Sequence, residues 1–221
     1  MEASVLIAFW SVKGGVGTTV TATGLALSLA RRPGPGILLV DMAGDVSCCL
    51  GLAEPLGAGL ADWLAAAAGA PPDALARLPV PVTAGLTLLP RGAGPLLPDR
   101  GALLVQLLAA MPQTVVADCG QLVGPGVVQR VAAQADRSLL VSRLCILGLR
   151  QAAHAPVRPS GVILLREPGR VLSIDDVEQA VGAPVVATVA VDPSVARLVD
   201  AGLLAGRLPR SFAGALDEMA A

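Results

Sequence analysis

The stretch SVKGGVGTTV, residues 11–20, gathers the residue types that hold phosphate. Gly14, Gly15 and Gly17 permit the backbone conformations by which successive N–H groups wrap an anion. A helix opening at Thr18 or Thr19 adds the partial positive charge of its N-terminus. Val16 completes the turn, and Thr19 carries the hydroxyl that such loops give to Mg²⁺. A phosphate-binding loop ordinarily ends Gly-Lys-Ser/Thr, its lysine reaching the β- and γ-phosphates; here Gly17 is followed by Thr18 and Thr19. Lysine stands earlier instead, at Lys13, and nowhere else in the chain, whose fifteen other basic residues are arginine. A single ammonium in a sequence that otherwise uses guanidinium marks a place where a slim, flexible cation is required.

Two acids share that chemistry. Asp41 closes the apolar run GILLVD, with Asp45 four residues on, and Asp118 closes TVVADC. Ligands of parallel sheets bind at the carboxyl ends of the strands, so residues 13–19, Asp41 and Asp118 converge if these runs are neighbouring parallel strands. Thr19 then binds Mg²⁺ directly, Asp118 holds the ion or its water, and Asp41 orients or polarises an attacking water.

The elements that would position them are legible as short apolar runs, at 4–10, 36–41, 85–90, 114–119, 137–142, 161–166 and 183–191, alternating with longer Ala/Leu stretches. Runs of this length suit strands buried on both faces, and the alternation argues for an α/β fold, a doubly wound and mostly parallel sheet with helices on both faces. Helices are predicted at 18–31, 58–69, 99–111, 125–135, 175–181 after a cap at Ser173, and 193–204. The Pro-rich patches AGAPPD and PVPVT separate elements without forming a linker, so residues 1–221 read as one domain.

Composition narrows the function. The chain is 54% hydrophobic, yet no apolar run reaches the eighteen or so residues of a spanning helix, and MEASVLIAFW reads as a first strand rather than a signal peptide. A cytoplasmic location is the expectation. A net charge of −1 supplies no field for nucleic acid or anionic lipid, and Arg197, Arg207 and Arg210 form no basic cluster. Cys48, Cys49, Cys119 and Cys145 lack zinc-ligand spacing and are expected to be small, buried or semi-buried reduced thiols. His154, in a Pro-bounded segment, is expected to be exposed, and Trp63 to anchor the core or an interface. Residues 207–221 could form a terminal amphipathic helix, but Asp217 and Glu218 without any lysine favour a docked helix over a membrane anchor.

With the loop and both strand-end acids in order, the sequence resembles the deviant Walker A ATPases of the MinD/ParA class. Their loop reads Lys-Gly-Gly-x-Gly-Lys-Ser/Thr, matched here as Lys13-Gly14-Gly15-Val16-Gly17-Thr18-Thr19. The resemblance runs along nearly the whole chain: Asp41 falls at the class's catalytic aspartate, Asp118 at its Walker B aspartate, ADRSLLV looks like the following strand, and GAPVVATVAVDPSVARLVDAG is similar to the last strand and helix. It implies a P-loop NTPase fold, ATP and Mg²⁺ as ligands, a nucleotide-sandwiched homodimer with Lys13 reaching the partner's phosphates, and a protein partner that the sequence does not identify. Two departures stand out: Thr18 replaces the loop lysine, and Leu165 occupies a position where many members carry an adenine-reading asparagine. A Gly-Thr loop also resembles the TadZ/CpaE-like branch, which positions pilus or secretion machinery, and actinobacterial MinD-like proteins. Two functions follow as alternatives, a slow ATPase switch and a pseudo-ATPase scaffold.

Overall fold

A computed structural model describes residues 5–54, 57–66 and 71–220. In chain order the elements are β1 (Leu6–Ser11), α1 (Thr18–Leu29), β2 (Ile37–Asp41), α2 (Val46–Leu50), α3 (Leu60–Ala65), a 3-10 turn (Pro72–Arg77), β3 (Val80–Thr83), β4 (Leu86–Leu89), α4 (Gly101–Ala109), β5 (Thr114–Gln121), α5 (Val127–Gln134), β6 (Arg137–Arg143), α6 (Ile146–Ala152), β7 (Gly161–Arg166), α7 (Ile174–Val181), β8 (Val185–Ala190), α8 (Pro193–Asp200) and α9 (Arg210–Ala220). They build one eight-stranded sheet in the order β3-β4-β2-β5-β1-β6-β7-β8. All pairs are parallel except the β3–β4 hairpin.

The central strands are buried on both faces because helices cover both. Along β1, Leu6, Ala8 and Trp10 join one core while Ile7 and Phe9 join the other. This is the period-two alternation of a strand with two apolar environments. Trp10, 0% exposed, also donates its indole N–H to Ser138 Oγ at 2.9 Å, satisfying the polar atom that its burial would otherwise strand.

Several sequence expectations shift. PVPVT was expected to be a separator, but residues 80–83 form β3. The strand tolerates Pro81 because it lies at the sheet edge, where a missing N–H leaves no interior ladder bond unmade. The helix expected over 58–69 is α3, Leu60–Ala65, with residues 67–70 outside those described. The helix expected over 193–204 stops at Asp200, because Gly202 turns left-handed (φ 65°) and its carbonyl presses on Gly51, where a Cβ would stand 2.1 Å from that oxygen. Ser173 caps α7 as expected, accepting from the Asp176 N–H while Asp176 accepts from the Ser173 N–H. The terminal helix is docked: Phe212 and Leu216 pack in the core that α1 shares, and Asp217 accepts from Ser28 Oγ at 2.7 Å and pairs with Arg32 at 3.0 Å. Among the described residues no helix is long and apolar enough to cross a membrane.

Candidate functional site

The loop between β1 and α1 lies at the carboxyl end of the sheet's middle. Since β1 sits between β5 and β6, the chain leaves it for the loop where the connections diverge to either side of the sheet. Such a switch point opens a crevice for a ligand. Lys13, Gly14 and Gly15 are exposed, whereas Val16 is buried as the loop's foot. Gly15 (φ 73°) and Gly17 (φ 99°) occupy left-handed backbone, and a Cβ on Gly17 would stand 2.9 Å from Leu165 Cδ2. Gly17 is the N-cap of α1 without any side-chain cap, so the first turn's N–H groups stay available to an anion. Thr21 closes the turn from behind, donating from its backbone N–H and its hydroxyl to the Gly17 carbonyl.

The two acids meet as the sequence predicts, although only Asp41 ends its strand: β5 runs on past Asp118 to Gln121. Asp41 and Asp118 are directly paired across β2 and β5. Asp41 is buried, accepting from the Gly44 N–H at 2.6 Å on one oxygen and the Val46 N–H at 3.2 Å on the other. It therefore fixes the turn into α2 and lines the pocket beside that turn. Burial raises its pKa, opposed by those N–H groups.

Asp118 is 0% exposed. Its Oδ1 accepts from the Gly120 N–H at 3.1 Å, while Oδ2 has no hydrogen-bond partner. Burial pushes its pKa up to about 7; hydrogen bonding from the Thr19 side chain lowers it, and the Asp41 charge raises it, so the carboxylate has Thr19 as a neighbouring donor even though Oδ2 itself has no hydrogen-bond partner. An orphaned carboxylate oxygen in the interior is costly unless something electropositive completes it. A cation beside Thr19 would do so, and residues Thr19 and Asp118 thus fit Mg²⁺. Among the described residues no three His, Cys, Asp or Glu side chains form a metal cage; Mg²⁺ held by one hydroxyl, one carboxylate, waters and phosphates needs none.

Thr18 is 6% exposed, the first residue of α1, and brings no charge to the crevice. The other side of the loop does. Arg143, at the end of β6, directs Nε to the Val16 carbonyl at 3.4 Å and pairs with Glu167 at 2.6 Å. Glu167 also accepts from Arg170 Nε at 2.9 Å, and that partner is the main cause of its lowered pKa. A pocket of about 380 Å³ lies beside Asp41, lined by Ser47, Glu54 and Arg91 among others. Nearer the loop, Lys13 to Val16 share a smaller one of about 160 Å³ with Arg143, Cys145 and Arg170. A third, about 220 Å³ and mostly apolar, is bounded by Gly17, Arg143, Leu165, Val191 and Asp192. Sequence reasoning missed Arg143 and Glu167, which only strand register brings to the loop.

All four cysteines are free: Cys49 and Cys119 are buried and Cys145 half-buried, while Cys48 is exposed, against expectation, on the outer side of α2. Burial pushes the Cys49 thiol up to about 12, while the Gly148 and Leu147 N–H groups hold Cys145 below the usual thiol range. His154 is exposed, as expected. Trp63 is buried, with the Arg100 guanidinium 3.7 Å above its ring, and so belongs to the core.

No protein-family model matches the chain, and no curated protein matches it. Solved structures do. A ParA family ATPase from Chlorobium tepidum superposes with a TM-score of 0.83 at 21% identity, covering 100% of this chain and 99% of that one. The septum site-determining protein MinD from Pyrococcus horikoshii, complexed with Mg-ADP, gives 0.78 at 20% identity over 98% and 94% of the two chains. A plasmid partition protein from Borrelia burgdorferi bound to AMPPNP gives 0.72 at 16% identity over 98% and 97%. The fold is that of the MinD/ParA class of P-loop proteins.

Proposed function

We propose that this chain is a MinD/ParA-class nucleotide switch that binds Mg·ATP on residues 13–19 and positions or partitions a cellular object through a protein partner. The observation that carries the reading is the orphaned Oδ2 of Asp118 beside Thr19, at the foot of an uncapped helix N-terminus. Backbone N–H groups from Gly14 to Thr19 cradle the phosphates, and Thr19 with Asp118 holds the cation. Bound Mg²⁺ neutralises phosphate charge. Asp41, next to Asp118 across the sheet, accepts a proton from or orients the attacking water.

A second copy completes the site in this reading. Ile146 (65%), Leu147 (50%) and Val171 (99%) are exposed apolar residues on the rim that carries Lys13. Ile146 and Leu147 follow Cys145, and Val171 follows Arg170, both of which line the pocket with Lys13. Apolar side chains around an exposed cation suit a face that a dimer covers. Lys13 then reaches the partner's nucleotide, and hydrolysis, with Thr18 in place of a lysine, is slow.

One observation favours a second reading. Thr18 is buried and uncharged, and a preorganised donor missing from the transition state costs ~10²–10³ in rate. The protein then binds nucleotide, dimerises and acts as a scaffold without turnover. Titration calorimetry with Mg·ATP and Mg·ADP, with light scattering on the same samples, tests the common core of both. Tighter ATP binding with dimers supports the switch. Absence of binding at millimolar nucleotide refutes both readings.

A further inference from the structure

We propose that Arg143 is the nucleotide-facing cation of this chain, supplying from within the same subunit the positive charge that position 18 lacks. The inference rests on the nucleotide-binding reading above and names a residue of that site. Three observations carry it. The first is place: β6 pairs with β1 in parallel with Trp10 opposite Leu140, so Arg143, three residues on, lies level with the departure of the chain into the loop. Its Nε touches the Val16 carbonyl, 127 residues away in sequence. It borders both the pocket shared with Lys13–Val16 and the apolar pocket bounded by Gly17 and Leu165. Among the described residues no other side chain lines both. Arg143 therefore stands where the phosphate end of a ligand meets its apolar end.

The second is preorganisation. Glu167 holds Arg143 on one oxygen and Arg170 on the other. A guanidinium fixed this way loses less freedom on meeting an anion than an unanchored one. It keeps free donors, because its Nη1 serves Glu167 and its Nε reaches Val16 only at 3.4 Å, a long contact that a phosphate or ribose oxygen outcompetes. Its side chain is 32% exposed, so it is reachable.

The third is the charge pattern across the loop. Beside the loop, the Arg143–Glu167–Arg170 cluster carries one net positive charge and Lys13 makes it two, while Asp192 and Asp200 stand on the far wall of the neighbouring apolar pocket. On the β2–β5 side lie Asp41, Asp45 and Asp118, all acids. An anionic chain laid along the loop meets cations on one flank and, through Mg²⁺, carboxylates on the other. A salt bridge serving only to tie β6 to β7 does not need this placement.

The experiment is a double-mutant cycle read by calorimetry with Mg·ATP and Mg·ADP: wild type, Arg143→Gln, Thr18→Lys and the pair, with Arg143→Lys as the conservative variant. Thermal unfolding confirms that each is folded. Arg143→Gln is expected to weaken Mg·ATP about 10- to 100-fold, the loss of one charged hydrogen bond, and Arg143→Lys to recover part of it. Thr18→Lys is expected to restore binding in the Arg143→Gln background and to add less than tenfold to wild type, since each cation makes the other redundant. A purely structural role predicts no such rescue. Should wild type bind Mg·ATP while Arg143→Gln binds it equally well, or should Thr18→Lys help both backgrounds alike, the assignment of Arg143 is overturned and the nucleotide reading stands. Should neither wild type nor Thr18→Lys bind, the nucleotide reading is overturned and this inference with it. If Arg143→Gln does not fold, Arg143→Lys and the size of the Thr18→Lys effect in wild type decide: undiminished binding by the first together with a gain above tenfold in the second overturns the assignment.

Discussion

Asp118→Asn should stabilise the nucleotide-free protein while abolishing its response to Mg·ATP. The folded-state pKa of Asp118 lies at about 7 against 3.8 when solvated. At ~1.4 kcal/mol per pH unit, holding the buried carboxylate ionised costs the fold about 4 kcal/mol near pH 8. The sign follows from proton binding: between those two values the folded chain keeps a proton that the unfolded chain has released. Stability from this group is full below pH 4 and is lost as the pH rises through 7. Asparagine removes the charge but leaves an amide N–H₂ where Oδ2 has no partner, which returns ~1–3 kcal/mol. The net gain at pH 8 is ~1–3 kcal/mol, or at ~2–4 °C per kcal/mol for a chain of this size a Tm increase of about 2–12 °C. Scanning calorimetry at pH 5 and pH 8, with and without Mg·ATP, reads all of this. The gain should be small at pH 5. Saturating ligand at ~100 Kd adds ~2.7 kcal/mol to wild type and little to the variant, so the two should come together or cross. A lower Tm for Asp118→Asn at pH 8, or a gain equal at both pH values, refutes the desolvation argument. An undiminished ligand shift refutes the metal role.

Other outcomes follow from the same geometry. Lys13→Ala should weaken ATP-dependent dimerisation, measured by light scattering, more than it weakens ADP binding, because Lys13 is exposed beside the apolar rim; equal losses in both would sink the trans role. Thr18→Lys should raise phosphate release in a steady-state assay more in the Arg143→Gln background than in wild type, and an equal gain in both would mean that Arg143 does not serve the transition state. Gly24→Ala places a Cβ 2.3 Å from Phe212 Cε1, so it should cost ~1–3 kcal/mol by displacing α9, seen as a Tm fall of several degrees and faster amide exchange in residues 210–217. Iodoacetamide should label Cys48 and Cys145 in the native protein and reach Cys49 and Cys119 only after unfolding, with Cys145 keeping its reactivity to a lower pH than an ordinary thiol does. Fragmentation of the tryptic peptides by mass spectrometry distinguishes them, including the adjacent Cys48 and Cys49, which share one peptide.

What the sequence made legible, and what it hid, divides along the range of the interactions. Strands β1, β2, β5, β6 and β7 announce themselves because burial on both faces forces unbroken apolar runs, and Asp41 and Asp118 are visible because a carboxylate ending such a run interrupts the pattern. β3 is hidden because an edge strand can hold a proline and needs only one buried face, giving alternating half-buried residues that read as a turn. α2 and α6, of 5 and 7 residues, are too short to display a helical period, and α6 inverts the usual pattern by exposing Ile146 and Leu147 in its first turn. Arg143 was invisible for another reason. One strand-end arginine among fifteen carries no local mark, and its meaning arises only when the β1–β6 register sets it against Val16 and the β6–β7 pairing brings Glu167 alongside. The missing loop lysine was therefore readable from seven consecutive residues, whereas a cation placed to replace it required the whole sheet to be assembled first. The same logic explains why loss of Thr18's charge need not unmake the site: the backbone cradle, Thr19 and Asp118 are held by β1, α1 and β5, none of which depends on the side chain at position 18.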